Sequence, residues 1–326
     1  MSAQVQQSLV STIIPVYNRA ELIVPSVESV LAQDYRPIEI IIVDDGSSDN
    51  TPTVLKKLAA QHSEIQIISQ ANAGPGAARE VGRIKAAGEF IQYHDSDDLL
   101  LPNKFSLQIA ALRADPQADV VYGKTQSRTL NSSEVFVCAA LKGTGVKRLA
   151  MFPLFLRQRW WSTSTPLYRR SVTDIAGPWL ETFCEEDWEY DCRIASLGGR
   201  LTYVDEFVSI TQSHTERLSS GGTTDSTKAT HRCLAQQNIF RHACNYMKLK
   251  DRPTDIDRED WSIYSKSVFL LSRQCAALGL DEQAKRMFDL SLEALGRKTI
   301  QHRLFQFLVS VFGWRGAAQI IVSLGR

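Results

Sequence analysis

A chain of 326 residues is long enough to bury the core of one large α/β domain with a smaller appendage. Lysine plus arginine (37) nearly balance aspartate plus glutamate (36), so the net charge of +1 gives no electrostatic case for a nucleic-acid partner. The six cysteines, Cys138, Cys184, Cys192, Cys233, Cys244 and Cys275, lack the close pairs of zinc sites or small disulfide scaffolds, and the polar start at residues 1–8 argues against an apolar leader, so the expectation is a cytoplasmic protein.

Three β-branched runs, at residues 9–16, 38–43 and 65–69, alternate with helical-period segments, and 89–93 and 118–122 continue the rhythm. That alternation predicts a parallel sheet with crossover helices. The helix after Asp45 starts with Thr51 as N-cap and Pro52 at its first position, where the missing donor costs nothing. Residues 123–159 show no clear period. Order returns with a strand at 165–168, a short helix before Gly177-Pro178, a longer helix over 185–197 and a strand over 201–210. The small, polar run Ser219-Ser220-Gly221-Gly222-Thr223-Thr224 marks the expected boundary between a domain at 1–222 and a helical region at 223–326. There Ala229, Cys233, Phe240, Ala243 and Met247 recur at helical spacing, and 256–278 with 282–295 read as a helical hairpin. Residues 304–324 are apolar but broken at Gly313-Trp314-Arg315-Gly316, which favours two short amphipathic pieces over one membrane span.

Ligands of an open α/β sheet sit beyond the carboxyl ends of its strands. Three predicted strands end in polar clusters there: Pro15-Val16-Tyr17-Asn18-Arg19, Asp44-Asp45-Gly46-Ser47, and His94-Asp95-Ser96-Asp97-Asp98. In extended backbone Asp95 and Asp97 share a face, while Asp98 turns aside or lies on the following bend. Such carboxylates repel unless neutralised, and Mg²⁺ or Mn²⁺ does so while keeping positions for phosphate oxygens; a solvated acidic turn is the alternative. Gly74 and Gly76 follow the third strand rather than the first, the wrong place for a dinucleotide fingerprint.

Pro15-Val16-Tyr17-Asn18-Arg19, Asp44-Asp45-Gly46-Ser47-Ser48-Asp49, Asn72-Ala73-Gly74-Pro75-Gly76-Ala77-Ala78-Arg79, Asp95-Ser96-Asp97-Asp98 and Glu186-Asp187-Trp188 together resemble family 2 glycosyltransferases of the GT-A fold, in order and spacing over residues 10–218. The resemblance implies an α/β, Rossmann-like mixed sheet flanked by helices, here followed by the small all-helical C-terminal region. It also implies a nucleotide-sugar donor, inversion at the anomeric carbon, and Mn²⁺ or Mg²⁺. Carried onto this sequence, Pro15, Tyr17 and Asp45 form the wall for the base, with Tyr17 stacking and Asp45 accepting the imide hydrogen of uracil. Arg19 lies in the same loop, and Asp44 either touches the nucleotide or caps the turn at 47–51. Arg79 reaches the diphosphate or faces solvent on its helix. Asp95, Ser96 and Asp97 belong to the donor site, and Asp95, Asp97 and Asp98 to the metal. Asp187 resembles the base that takes the acceptor proton, with Glu186 supporting it, although the two roles could be reversed; an ordinary acidic helix start is the alternative. Trp188 flanks a sugar or packs inside, as do Trp160 and Trp161. His214 and Arg217 follow the last strand, where the imidazole completes the metal or diphosphate site or is a lone surface histidine.

The expected reaction is therefore a single displacement: sugar transfer from a nucleotide diphosphate sugar, with uracil favoured as the base, to a saccharide or glycolipid acceptor in polysaccharide or glycoconjugate synthesis. A nucleotidyltransferase would want a basic, glycine-rich loop after the first strand, which Tyr17-Asn18-Arg19 does not supply. A catalytically idle sugar-binding or scaffolding module stays open. The segment 304–324, with Phe305, Phe307, Phe312 and Trp314 beside Arg303 and Arg315, either lies peripherally on the inner face of a membrane or packs the helical unit.

Overall fold

The computed structural model describes residues 5–129, 140–213, 225–249 and 256–323. Its centre is an eight-stranded mixed sheet. Strands β1 (Gln6–Val16), β2 (Ile38–Asp44), β3 (Ile65–Ser69) and β4 (Gly88–Tyr93) are parallel, in the order β3-β2-β1-β4. Helices α1 (Ile23–Leu31), α2 (Thr51–Gln61) and α3 (Pro75–Lys85) make the crossovers. Ile40, Ile41, Ile42 and Val43 are all buried, as the β-branched run of a strand covered on both faces should be. Beyond β4 the sheet turns mixed. β7 (Leu167–Arg169) is antiparallel to β4 and to β6 (Val120–Thr129); β8 (Leu201–Ser213) is parallel to β6, and the two-residue β5 (Leu99–Leu100) pairs antiparallel with β8. Helices α4 (Lys104–Ala114), α6 (Arg170–Ala176) and α7 (Glu186–Ser196) complete this part, with α5 (Leu154–Arg157) between β6 and β7 in the chain.

Register places the strand ends together. Val16 pairs with Asp44 and Ile13 with Tyr93, so Tyr17, Asp45 and His94 leave the sheet as neighbours at one edge. Two glycines bring α3 close. A Cβ on Gly82 would come 2.3 Å from Ile13 Cγ2, and one on Gly76 would come 1.9 Å from the Leu180 carbonyl oxygen. Side chains at 76 and 82 would push the start of α3 away from the segment before α7 and its body away from β1.

Two details differ from the sequence reading. The Thr51 hydroxyl does not cap α2; it accepts the Arg19 N–H at 2.9 Å, and Asn50 holds the cap position. β6 and β8 are longer than the period predicted, and their register shifts between Tyr122 and Thr125 explain why alternation fades there.

The chain divides into two compact units, Met1–Met151 with Arg159–Glu216, and Phe152–Gln158 with Arg217–Arg326. The second unit contains α5, α8 (Ser226–Tyr246), α9 (Arg258–Ala277), α10 (Asp281–Leu295) and α11 (Ile300–Ser323). Asp257 and Asp260 form a capping box at the start of α9, and Arg157 pairs with the buried Asp260. α11 is two helices joined at Gly313 (φ 68°, ψ 175°), in keeping with two pieces rather than one.

Candidate active site

The loop after β1 is laced to the loop after β2. Asn18 takes the left-handed conformation (φ 50°); its N–H donates to Ser47 Oγ, and its side-chain oxygen accepts from Ser48 and Asp49 N–H at 2.8 and 3.3 Å. Asp44 Oδ1 accepts from Ser47 N–H at 3.0 Å, a turn-capping contact and one of the two roles considered for it. Asp45 is 3% exposed and accepts three hydrogen bonds: Gln70 Nε2 (2.7 Å) and Ala73 N–H (2.9 Å) on Oδ1, and Gly74 N–H (2.8 Å) on Oδ2. It fixes the loop leading into α3 and keeps about one of its four acceptor positions open. Pro15 is buried, Arg19 is half-buried, and Tyr17 is 41% exposed at the strand end.

After β4 the chain turns through a polar, closed region. His94 is fully buried between Ser26 Oγ (3.0 Å from Nε2) and Ser164 Oγ (3.0 Å from Nδ1). Burial pushes its pKa down to about 4, with Asp95 opposing and Lys104 assisting, so the ring is neutral near pH 7. Ser96 is buried, and Asp98 faces inward: Oδ1 accepts from Gln212 N–H, and Oδ2 from Ser164 and Thr211. Asp95 and Asp97 remain partly exposed. Among the described residues no three His, Cys, Asp or Glu side chains converge as a ready-made metal cage. His214 and Arg217 lie outside the described residues.

Two arginines organise the acids. Arg79, on the buried side of α3, donates through Nη2 to Asp95 Oδ1 (2.8 Å) and through Nη1 to Glu186 Oε1 (2.6 Å), with its guanidinium over the Trp179 ring at 4.9 Å. Arg159 does the same for the other acid of the pair. Its Nη1 donates to Asp187 Oδ2 (2.6 Å) and its Nε to Asp191 Oδ2 (2.9 Å). Asp191 is also held by Tyr168 O–H (2.6 Å) and Trp161 Nε1–H (2.8 Å). In each group one side chain is sealed and the other open: Glu186 is 6% exposed against 26% for Asp95, and Asp191 is 1% against 25% for Asp187. Glu185 sits just before the helix in a left-handed conformation (φ 58°), a strained turn that sets both acids at the start of α7.

The two acids of the pair are held unequally. Burial, then the Asp187 charge, push Glu186 up to about 7, with Arg79 only partly compensating. Burial also opposes ionisation of Asp187, but Arg159, Arg79, the Thr163 hydroxyl and the Trp188 N–H outweigh it and hold this carboxyl below its ordinary value.

Residues 11–168 match the family described as Glycosyl transferase family 2. This chain is 32% identical to glycosyltransferase GlyG of Streptococcus pneumoniae over 151 residues, 46% of this chain and 50% of that one. It is 40% identical to the chondroitin synthase of Escherichia coli over 195 residues, 58% of this chain and 27% of that one. The chain thus spans half or less of these two curated relatives. Among solved structures, S. aureus TarS 1-349 in complex with UDP superposes with a TM-score of 0.67 at 17% identity, covering 97% of this chain and 92% of that one, which shows the fold.

The structure brings together Arg79, Asp95, Glu186 and Asp187, and sets Tyr17, Asp44 and Asp45 along the same sheet edge. Trp188 is half-buried beside Asp187, whereas Trp160 and Trp161 are fully buried and do not line a cleft. Sequence reasoning missed Arg159, Asp191 and Trp179. A usable signal existed for one of them: Asp187 and Asp191 are four residues apart on one helix face, a like-charge pair that needs a cation between them.

Proposed function

We propose that this protein is a glycosyltransferase that moves a sugar from a nucleoside diphosphate sugar, of the uridine class, to an acceptor hydroxyl with inversion, and that Asp187 is the base. The observation that carries the reading is the pairing of one open carboxylate with one sealed carboxylate at each arginine. Asp95 and Asp187 are the open ones, so they face ligands, while Glu186 and Asp191 anchor the guanidinium groups from behind. This orders the neighbouring acids by exposure: Asp187 is the base, and Glu186 holds Arg79. An ionised carboxylate already accepting from Arg159, Thr163 and its own helix keeps one geometry as it takes the acceptor proton. The proton leaves the acceptor hydroxyl as its oxygen attacks the anomeric carbon, and the bond to the diphosphate breaks on the opposite side. Arg79 and the start of α3 supply positive potential where that diphosphate gains charge. Tyr17 offers an exposed ring for the base, and the remaining acceptor position of Asp45 suits an imide N–H.

The open carboxylates also bear on a metal. Mg²⁺ and Mn²⁺ of this kind take one or two protein carboxylates and complete their shell with phosphate oxygens, which fits Asp97 and Asp95 and leaves Asp98 out. Bound there, the ion would neutralise charge on the leaving diphosphate. Synthesis of a polysaccharide or other glycoconjugate is the setting this reading favours, supported by the likeness to a chondroitin synthase.

Calorimetry with UDP-sugars tests the proposal. A donor held 100-fold above its dissociation constant should stabilise the fold by about 2.7 kcal/mol, and binding should weaken in chelator and in Asp97→Ala. Equal affinity with and without metal removes the ion from the donor site. Failure of every nucleoside diphosphate sugar to bind removes the donor reading itself.

A further inference from the structure

In the second unit, the two faces of α11 have different fates. The inner face is packed: His302, Phe305 and Leu308 are buried, Phe305 meets Phe269 edge-on at 5.6 Å, and His302 Nε2 lies 3.0 Å from Ser291 Oγ. The outer face carries Ile300 (85% exposed), Leu304, Phe307 (62% exposed) and Val311 at intervals of four, three and four residues. At 100° per residue these four side chains fall within about 60° of arc, and Phe312 lies exposed at the end of the stripe. Single exposed hydrophobics are ordinary, but a continuous stripe marks a surface that something covers.

The charges around the stripe select the cover. Arg297, Lys298, Arg303 and Arg315 are all exposed, and the sequence from residue 294 to 326 contains neither aspartate nor glutamate. An apolar stripe ringed by cations alone complements a surface with anionic headgroups over hydrocarbon. We propose that the outer face of α11 lies in the headgroup layer of an anionic membrane. α11 is long and apolar enough to cross a membrane by length and composition. A crossing, however, would strip its inner face from α9 and α10 and carry His302, Arg303 and Arg315 into hydrocarbon across the Gly313 break. Lying flat keeps the packed face packed and the cations at the headgroups.

Sedimentation of the full chain with vesicles of phosphatidylcholine, alone or mixed with phosphatidylglycerol, tests this. Binding should require phosphatidylglycerol, reverse in high salt, and fall by about fivefold at low salt in Arg303→Gln. The double variant Leu304→Glu, Phe307→Glu should lose at least about tenfold in binding with its circular dichroism unchanged, because both side chains are exposed. Wild-type binding by that double variant, or equal binding to phosphatidylcholine alone, overturns the proposal. So does protein released only by detergent, which would mean a span. A dimer that the double variant abolishes, without vesicle binding in either form, would assign the face to a second copy and overturn it as well.

Discussion

Arg79 and Arg159 each lie buried between two carboxylates, one sealed and one about a quarter exposed, yet the acids they hold respond in opposite directions. Glu186 receives one guanidinium bond from an arginine already shared with Asp95, and it sits beside the charge of Asp187; its carboxyl is pushed up. Asp187 receives Arg159, a hydroxyl and a backbone N–H, and it is held down. The lesson is that acid strength here follows burial and neighbouring charge, not the mere presence of an arginine: sealed Asp191 accepts from Arg159, Tyr168 and Trp161 and its carboxyl is still pushed up. The group nearer neutrality in pKa is the sealed one, and the open one is the stronger acid with the fixed geometry.

Removing the open acid should have the largest effect. Asp187→Asn keeps the shape and loses proton affinity, so transfer at saturating donor should fall by about 10²–10⁴-fold while donor affinity and thermal stability stay near wild type. Near-normal turnover would shift the base away from Asp187 and dissolve the contrast between the two acids. Arg159→Lys comes next. A lysine keeps the charge but cannot bridge Asp187 and Asp191 as a fork, so kcat should drop on the order of 10- to 100-fold. In Arg159→Gln the acid limb of the pH–rate profile should also move to higher pH, because Asp187 there loses the charge that holds it down. Loss of kcat with an unmoved acid limb would reduce Arg159 to a packing role. The smallest effect belongs to the sealed acid. Below about pH 7 Glu186 takes a proton, the Arg79 group loses one negative charge, and a diphosphate should bind more tightly. UDP-sugar affinity should therefore rise by about fivefold from about pH 8 to about pH 6, the size of a roughly 1 kcal/mol charge interaction in a wet site. Glu186→Gln should show the tight value throughout; a wild-type affinity flat with pH would break the link between Arg79 and the donor.

Much of this contrast was written in the sequence, but not all of it. The β-branched runs gave the four parallel strands within a few residues, and polar clusters at their ends pointed to the ligand edge because a parallel sheet leaves only that edge open to chemistry. Arg79, Asp95, Glu186 and Asp187 were legible as motifs. Arg159 was not, since it stands in an aperiodic stretch, and the four-residue spacing of Asp187 and Asp191 asks for a cation without saying which residue supplies it. Nor does a linear pattern reveal that Phe152–Gln158 packs with helices far later in the chain. Asp98 is expected to turn aside from Asp95 and Asp97, yet the resemblance counts it with the metal, and what holds it inward, Gln212 and Thr211 from β8 with Ser164, is distant in the chain.

The long reach of the Arg79 pairing has a consequence for how the protein is made. During synthesis α3 and β4 are complete, with Asp95 sixteen residues beyond Arg79, long before Glu186 appears 107 residues beyond it. Until then the segment that Gly76 packs against at Leu180 does not exist, and the guanidinium stands half-partnered at the face it will later seal. On the proposed reading, the nascent domain holds the edge formed by β1, β2 and β4 before its acid pair, so a chain halted before α7 would carry the proposed wall for a nucleotide without the proposed base.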